Sequence, residues 1–328
     1  MSAVLSSWQE LAAGKSSVYV GVDRLDAVGP DTVKFLHSLL SQNMSDLAVG
    51  SGAWTFLLQP QGKVTSFAYA RRLGDEHIVL LTEAGFGVAL HAALSRYRIR
   101  TKCELALSLS SSASVSFVDG VPTFSVSQTP EPFTGAEGPT VYNTARIVSG
   151  WPAQPNEINE ATIPNETGVL RQSVDFTKGC YVGQELVERI DSRAATTPRR
   201  LVRLVDFVGG DATSEQSDLD LLTSKGTELH AVADAPSAPG EAGNAELSEA
   251  IVPQAKAIGV LMSIVRSSPA VGGFSALAYV TRAVRDESQV AIAGTSWFAT
   301  VMVLRNDVHA PTGAPVGVRS TATMGKKA

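Results

Sequence analysis

Cysteine is scarce in this sequence, since Cys103 and Cys180 are the only two among 328 residues. Neither belongs to a CxxC or CxxxC pair, which excludes a disulfide scaffold and argues against an iron–sulfur or structural zinc site built from one chain's cysteines. The sequence therefore predicts no metal centre of its own. Low cysteine usage is also typical of a reducing compartment, and the expected location is the cytoplasm.

Long apolar runs and an excess of positive charge are also lacking. No segment approaches the roughly 18 apolar residues of a membrane-spanning helix, and residues 1–14 contain no apolar core of a secretory signal. Lysine and arginine number 27 against 32 aspartate and glutamate residues, a net charge of −5. An acidic chain of this kind is not expected to bind nucleic acid generally, although a local basic face is compatible with it.

The pattern of apolar residues predicts an α+β fold with more than one domain, because 328 residues exceed what one core usually organises. The first part of the chain alternates predicted strands at 17–23, 53–58, 64–73 and 77–82 with helices after Asp31 and over 83–97. Short strands at 201–208, 257–265, 274–282 and 296–304 predict a small all-β domain at the C-terminus. We place the domains at 1–205 and 206–328, with a mobile insertion near 230–254 and disorder over 324–328.

A basic segment follows the second predicted helix. Arg98, Arg100 and Lys102 alternate with less polar residues, so as a strand they would place three cations on one face. Such a face is either simply solvated or binds an anionic ligand, for example a polyglutamate tail or a phosphate backbone. The strand lacks interleaved aromatics, which argues against direct nucleic-acid binding.

Cys180 has the surroundings of a tuned thiol. Lys178 is a cation two residues away, and a helix predicted over 181–190 would place Cys180 at its positive end. Both features lower a thiol pKa. The alternative is that Cys180 is a small core residue, as isolated cysteines usually are, and this is the role we assign to Cys103.

The segment around Cys180 also carries a family resemblance. Lys178-Gly179-Cys180-Tyr181-Val182-Gly183-Gln184-Glu185 resembles the KGCYxGQE motif of the YgfZ-type folate-binding proteins, which are relatives of the glycine-cleavage T-protein (aminomethyltransferase, GcvT). Further segments resemble the family in the expected order: 29–36 (GPDxxKFL), 57–63 (LLQPQGK), 97–102 (YRIRTK), 163–166 (IPNE) and 259–282. The resemblance covers most of the chain and weakens over 110–142 and 209–254.

The resemblance implies a GcvT-like ring of three domains around a central folate-binding cavity, two of them intertwined α+β subdomains within 1–205 and the last a small β-barrel. It implies tetrahydrofolate or a derivative as ligand, and a monomer that serves iron–sulfur client enzymes, some of them tRNA-modifying. The site residues that it implies are Cys180 and Lys178 for chemistry, Glu166, Tyr181, Gln184 and Glu185 for folate contacts, and Gly179 and Gly183 for the motif backbone. Gln184 could instead brace the helix, and Glu185 could simply favour its start.

The sequence departs from the family patterns at several positions. Val148 stands where the RxExG element of the relatives has a folate-contacting glutamate, and Ala194 follows Arg193 where a glycine is expected. Ser66 and Phe67 align with the two acidic positions of the T-protein, and neither can hold a negative charge against a developing cation. The sequence therefore favours an accessory protein over a true aminomethyltransferase. A non-enzymatic module that binds RNA or protein is a further alternative.

Overall fold

The computed structural model describes residues 2–192, 197–209, 226–232, 256–268 and 273–304. Three expectations concern segments outside these ranges: most of the insertion near 230–254, the Arg193-Ala194 pair and the C-terminal residues 324–328.

The first part of the chain forms one antiparallel sheet of six strands in the order β2-β3-β4-β1-β5-β6. The strands are β1 (Val18–Val28), β2 (Gly52–Leu58), β3 (Val64–Gly74), β4 (His77–Glu83), β5 (Glu104–Val118) and β6 (Val121–Ser125). Both faces of the sheet are covered. In β4, Ile78 and Leu80 join one apolar core while Val79 and Leu81 join the other, as alternation along a strand requires.

Helices pack on both faces of this sheet. They are α1 (Ser2–Ala12), α2 (Thr32–Leu39), α3 (Gly87–Ser95), α4 (Gly138–Ser149), α5 (Leu170–Ser173) and α6 (Gln184–Ser192). Leu11 of α1 and Ala145 of α4 belong to one core, and Leu36 of α2 and Leu90 of α3 belong to the other. Helix α4 ends at Gly150, whose φ of 79° is the left-handed conformation that glycine adopts without strain.

The C-terminal part is a closed barrel of six strands in the order β10-β7-β12-β11-β8-β9. Its strands are β7 (Arg199–Gly209), β8 (Glu228–Ala231), β9 (Gly259–Arg266), β10 (Phe274–Thr281), β11 (Gln289–Ile292) and β12 (Trp297–Val303). The predicted α+β class and the predicted β-barrel are therefore confirmed. The boundary predicted between residues 205 and 206 falls inside β7, because the barrel strand already begins at Arg199.

The barrel packs against α4 and the loop that follows it. Ile147 of α4 shares an apolar cluster with Leu201, Leu277 and Tyr279 of the barrel. The Tyr279 hydroxyl also donates a hydrogen bond to the Glu157 carbonyl at 3.0 Å. These contacts fix the barrel relative to the sheet.

The strand predicted for the basic segment is wrong. Arg98, Arg100 and Lys102 lie in an exposed turn that joins α3 to β5, and β5 begins only at Glu104. Arg100 has a φ of 58°, which turns the chain and breaks the alternation of a strand. The backbone N–H of Lys102 donates to a carboxylate oxygen of Asp31 at 2.7 Å, which holds the turn against the start of α2.

Candidate functional site

The motif around Cys180 lies on a loop between α5 and α6. The backbone N–H of Asp175 donates to the Ser41 carbonyl at 3.0 Å, which ties the start of the loop to the residues after α2. The Asp175 carboxylate accepts from the Thr177 backbone N–H at 2.7 Å and from its hydroxyl at 2.6 Å. Burial opposes ionisation of Asp175, but these hydrogen bonds prevail and lower its pKa. The carboxylate thus organises the turn that precedes Lys178.

Lys178 is the second anchor of this loop. Its ammonium donates to the carbonyls of His37 and Leu40 at the C-terminal end of α2, the latter at 2.6 Å, and lies 5.1 Å from the centre of the Tyr181 ring. A cation at this end of a helix is favoured because the last carbonyls carry partial negative charge. The sequence predicted a lysine that tunes the thiol, whereas these hydrogen bonds attach the motif to α2.

The pH dependence of the free energy of unfolding should show that the Lys178 ammonium is partly buried at the end of α2. Burial lowers the pKa of Lys178 from 10.5 to about 8, and Asp175 acts in the opposite direction. Between those values the unfolded chain keeps a proton that the folded chain has released, so the Lys178 contribution to stability rises with pH in this window. We expect wild type to gain stability relative to Lys178→Met from pH 8 to 10.5, measured by urea unfolding.

A matched control is Lys15→Met, which removes a lysine from the exposed turn after α1 and should follow the wild-type pH profile. A Lys178→Met profile parallel to wild type across the window would contradict the buried placement of the Lys178 ammonium.

The two cysteines differ in exposure. Cys180 is exposed and Cys103 is buried. The Cys103 thiol accepts a hydrogen bond from the Thr32 hydroxyl at 3.4 Å, and burial raises its pKa. The core role predicted for Cys103 is confirmed, and the core alternative for Cys180 is wrong.

Cys180 does not lie at the start of a helix, because α6 begins at Gln184 rather than at residue 181. Gly183 explains the later start, since its φ of 78° is left-handed and interrupts helical geometry. Gln184 then braces the first turn: its side-chain carbonyl accepts from the Tyr181 N–H at 3.0 Å, and its amide donates to Glu188 at 2.7 Å.

Two motifs that are far apart in the sequence meet at two glycines. A Cβ on Gly183 would lie 2.4 Å from the Gln59 carbonyl oxygen and 2.8 Å from the Leu58 Cβ. A Cβ on Gly62 would lie 2.7 Å from the Leu186 Cβ. The turn of the LLQPQGK motif therefore packs directly on the Cys180 motif, and only glycine permits this approach. By contrast, nothing lies within 4 Å of a Cβ placed on Gly179.

Glu166 ties the motif region to the barrel. It is buried, and its carboxylate accepts from the Arg199 Nε at 3.1 Å. The Arg199 guanidinium in turn lies 4.4 Å from the centre of the Tyr279 ring. Next to Glu166, the Asn165 side chain donates to the Val187 carbonyl of α6 at 3.2 Å. The IPNE segment thus joins α6 to β7.

The four predicted folate contacts have different surroundings. Glu166 is buried in its pair with Arg199, and both ends of the Gln184 amide are occupied. The Glu185 carboxylate is 89% exposed, and Arg189 lies 3.9 Å from it. Tyr181 is buried, and its hydroxyl has no hydrogen-bond partner among the described residues.

The two positions that align with the acidic pair of the T-protein lie in the apolar core. Ser66 and Phe67 are both buried in β3. The Phe67 ring stacks on Trp54 at 4.5 Å and on Phe56 at 4.8 Å between ring centres. Val148 is half-buried and packs against the same core. No negative charge is available at these three positions.

A buried ion pair was not predicted from the sequence. Arg146 donates to the Glu157 carboxylate at 3.0 Å, and the side chains are 2% and 0% exposed. The same carboxylate oxygen accepts from the Ala153 N–H at 2.9 Å. Arg146 was visible as the first residue of the RxExG element, but Glu157 lies in a loop with no motif, and only the fold brings the two together.

Two cavities open near the motif. One of about 430 Å³ lies between α3 and the end of β2, and one of about 480 Å³ lies beside α6. The second is lined by Phe176, Glu185, Glu188, Arg189, Asp191 and Ser192. Neither is lined by Cys180 or Glu166. The described part of the chain contains no group of His, Cys, Asp and Glu side chains arranged to hold a metal ion.

Comparisons with known proteins give distant relatives. No family model matches the chain. It is 25% identical over 252 residues to the "Iron-sulfur cluster assembly factor IBA57 homolog, mitochondrial" of Neurospora crassa, a match that covers 63% of this chain and 57% of the relative. It is 26% identical over 191 residues to an uncharacterized protein of Haemophilus influenzae, covering 52% of this chain and 66% of that protein. The chain thus spans between about half and two thirds of the length of these relatives.

A shorter match has higher identity. Over 86 residues the chain is 41% identical to the IBA57 homolog of Cryptococcus neoformans, covering 25% of this chain and 22% of the relative. Among solved structures, the aminomethyltransferase T of the glycine cleavage system from Bartonella henselae superposes with a TM-score of 0.65 at 16% identity, covering 93% of this chain and 89% of that one. This similarity shows a shared fold. None of the described helices is both long and apolar enough to cross a membrane.

Proposed function

We propose that this chain, a YgfZ-type member of the GcvT-like superfamily related to the IBA57 homologs, is an accessory protein for the assembly or repair of iron–sulfur enzymes. The observation that carries the proposal is the exposed Cys180 thiol, presented on a loop that Asp175, Lys178 and Gly183 anchor to the sheet domain. The names of the curated relatives point to the same process.

In this proposal Cys180 acts toward a client protein. A cysteine binds iron as its thiolate, and an exposed thiol on a fixed loop is accessible to a cluster at the surface of a partner. The anchors of the loop hold Cys180 in one position without burying it. The cluster is therefore the cargo of the reaction, and the client supplies the remaining ligands.

Tetrahydrofolate is part of the proposal through the family resemblance alone. Since the polar groups of Glu166 and Gln184 are already bonded within the protein, no chemical step is assigned to folate, and Tyr181, whose buried hydroxyl has no partner among the described residues, is the candidate contact that we retain. The proposed tRNA-modifying clients likewise extend the resemblance. The proposed cytoplasmic location comes from the sequence composition, whereas the IBA57 homologs carry the word mitochondrial in their names.

Aminomethyl transfer is the alternative with a specific structural prediction. It would require a carboxylate where this chain has Ser66 and Phe67, and the stacked Phe67 ring leaves no negative charge there. This arrangement supports an accessory role over a transferase, although the two share one fold.

Complementation of a deletion strain tests the proposal. Wild type and Cys103→Ala should restore the activity of iron–sulfur enzymes in extracts, whereas Cys180→Ser should not. Because Cys180 is exposed, the serine variant should unfold within about 0.5 kcal/mol of wild type, so a failure to complement would not reflect misfolding. Enzymes without clusters serve as the internal reference.

Full restoration by Cys180→Ser would remove the thiol from the mechanism. In a parallel arm, the purified wild-type protein is titrated with tetrahydrofolate, and saturable binding is expected. Its absence would leave the accessory role standing without folate.

A further inference from the structure

An apolar groove beside α3 has one cation, Arg96, in its lining, and a turn rich in cations follows it in the chain; we call Arg96 and this turn the basic rim. The groove has a volume of about 430 Å³. Apolar and aromatic side chains line most of it: Leu57, Leu58, Pro60, Ala89, Ala93 and Tyr97. Ala89 and Ala93 lie four residues apart and share one face of α3, and Arg96, which caps the C-terminal end of the helix, lines the groove beside them. The small alanines leave the groove open, and Arg96 extends it toward solvent.

The rim continues into the turn that follows α3. Arg98, Arg100 and Lys102 are exposed there, and Ile99 between them is 77% exposed. In the part of the chain that the structure describes, none of these three cations forms an ion pair with a carboxylate. Arg98 donates to the Cys103 carbonyl at 3.1 Å, and the one carboxylate bonded to this turn accepts from a backbone N–H.

The charge of the rim and the shape of the groove together indicate the chemistry of the partner. The whole chain carries a net charge of −5, so this cluster of cations beside an apolar groove stands out from its surroundings. An acidic ligand would complement the rim, and an apolar side chain would fill the groove. A nucleic-acid backbone would meet the cations but leave the apolar groove empty, and Tyr97 alone offers a ring for base stacking.

We propose that this groove and its basic rim form a docking site for an acidic segment of a partner protein that inserts apolar side chains between α3 and the end of β2. The inference stands apart from the iron–sulfur proposal, since it rests on the groove and its charges. The two are neighbours in space, because the Gln59–Gly62 turn that walls the groove also packs against Gly183. A docked partner would therefore lie beside the Cys180 loop.

A peptide array probed with the full chain tests the inference. The peptides are about 12 residues long, with two central Leu, Ile or Phe residues flanked by Asp and Glu. One matched set replaces the apolar pair by Ser-Gly, and another replaces the acids by Asn and Gln. Retention of peptides that carry both features, above either matched set, is expected.

Variants then locate the site by fluorescence anisotropy with the best peptide at about 0.1 M salt. Ala92→Glu, which places a carboxylate in the groove, and the double variant Arg96→Glu with Lys102→Glu should each weaken binding at least about tenfold. Lys15→Glu reverses one charge on the exposed turn after α1 and should stay within about twofold of wild type.

Several results would overturn the inference. The inference fails if acidic apolar peptides are not retained or if the Ser-Gly set is retained equally. It also fails if Lys15→Glu weakens peptide binding as much as the groove variants do. Binding of single-stranded RNA that the groove variants abolish, without peptide binding, would assign the surface to nucleic acid instead. Circular dichroism and urea unfolding of each variant establish that the chain is folded.

Discussion

Gly183→Ala is expected to lower the free energy of unfolding by about 2–5 kcal/mol, because two costs add. The residue has a φ of 78°, which a side chain rarely adopts, and its Cβ would lie 2.4 Å from the Gln59 carbonyl oxygen. That oxygen belongs to the backbone of a turn, so it cannot move aside as the end of a flexible side chain would. Urea unfolding of the purified variant measures the loss.

The motif contains its own control for this substitution. A Cβ added to Gly179 would have no atom within 4 Å, and the residue is not in the left-handed region, so Gly179→Ala should unfold within about 0.5 kcal/mol of wild type. Gly62→Ala, on the opposite side of the contact, should lose stability in the same way as Gly183→Ala. Equal stability of the Gly183 and Gly179 variants would refute the packing of the two motifs.

The second large effect concerns the buried pair of Arg146 and Glu157. Glu157→Gln keeps the shape of the side chain but leaves the Arg146 guanidinium buried without its partner, and breaking such a pair typically costs about 3–5 kcal/mol. Glu83 also lies near Arg146. Burial raises the pKa of Glu83, and the Glu157 charge raises it further, so Glu83 should ionise more readily in the variant and offset part of the loss.

The control removes a charge from a surface pair. Glu185 lies 3.9 Å from Arg189 with its side chain 89% exposed, and Glu185→Gln should change stability by less than about 1 kcal/mol. The double variant Arg146→Met with Glu157→Leu should lose less than Glu157→Gln alone, since no buried charge then lacks a partner. A Glu157→Gln variant as stable as Glu185→Gln would show that Arg146 reaches water or another carboxylate.

Most strands could be predicted because their signal is local. The pattern of apolar residues located β2, β3, β4 and the barrel strands β7, β10 and β12 to within a few residues. The same signal failed at Arg98, Arg100 and Lys102, where the alternation is real but the chain must turn between α3 and β5. Alternation describes side chains, and it cannot reveal a left-handed residue such as Arg100.

The candidate site, like the fold, could be predicted from the sequence only in part. Its most informative residue, Cys180, was visible from the motif, and so was the absence of acidic side chains at Ser66 and Phe67. The partner of Lys178 was not visible, because the carbonyls of His37 and Leu40 lie about 140 positions earlier in the chain and any helix end offers the same groups. The burial of Glu166 against Arg199 depended likewise on a contact between the sheet domain and the barrel.

The sequence by itself determined most of the strands of the sheet and the barrel, the resemblance to a known family, and the presence of one cysteine in a glycine-flanked motif. Only the tertiary structure decided that Cys180 is exposed, that Lys178 binds a helix end, and that Gly62 and Gly183 meet. The physical reason is that exposure, hydrogen-bond partners and steric contact depend on distances between segments far apart along the chain. Local propensities carry no information about those distances.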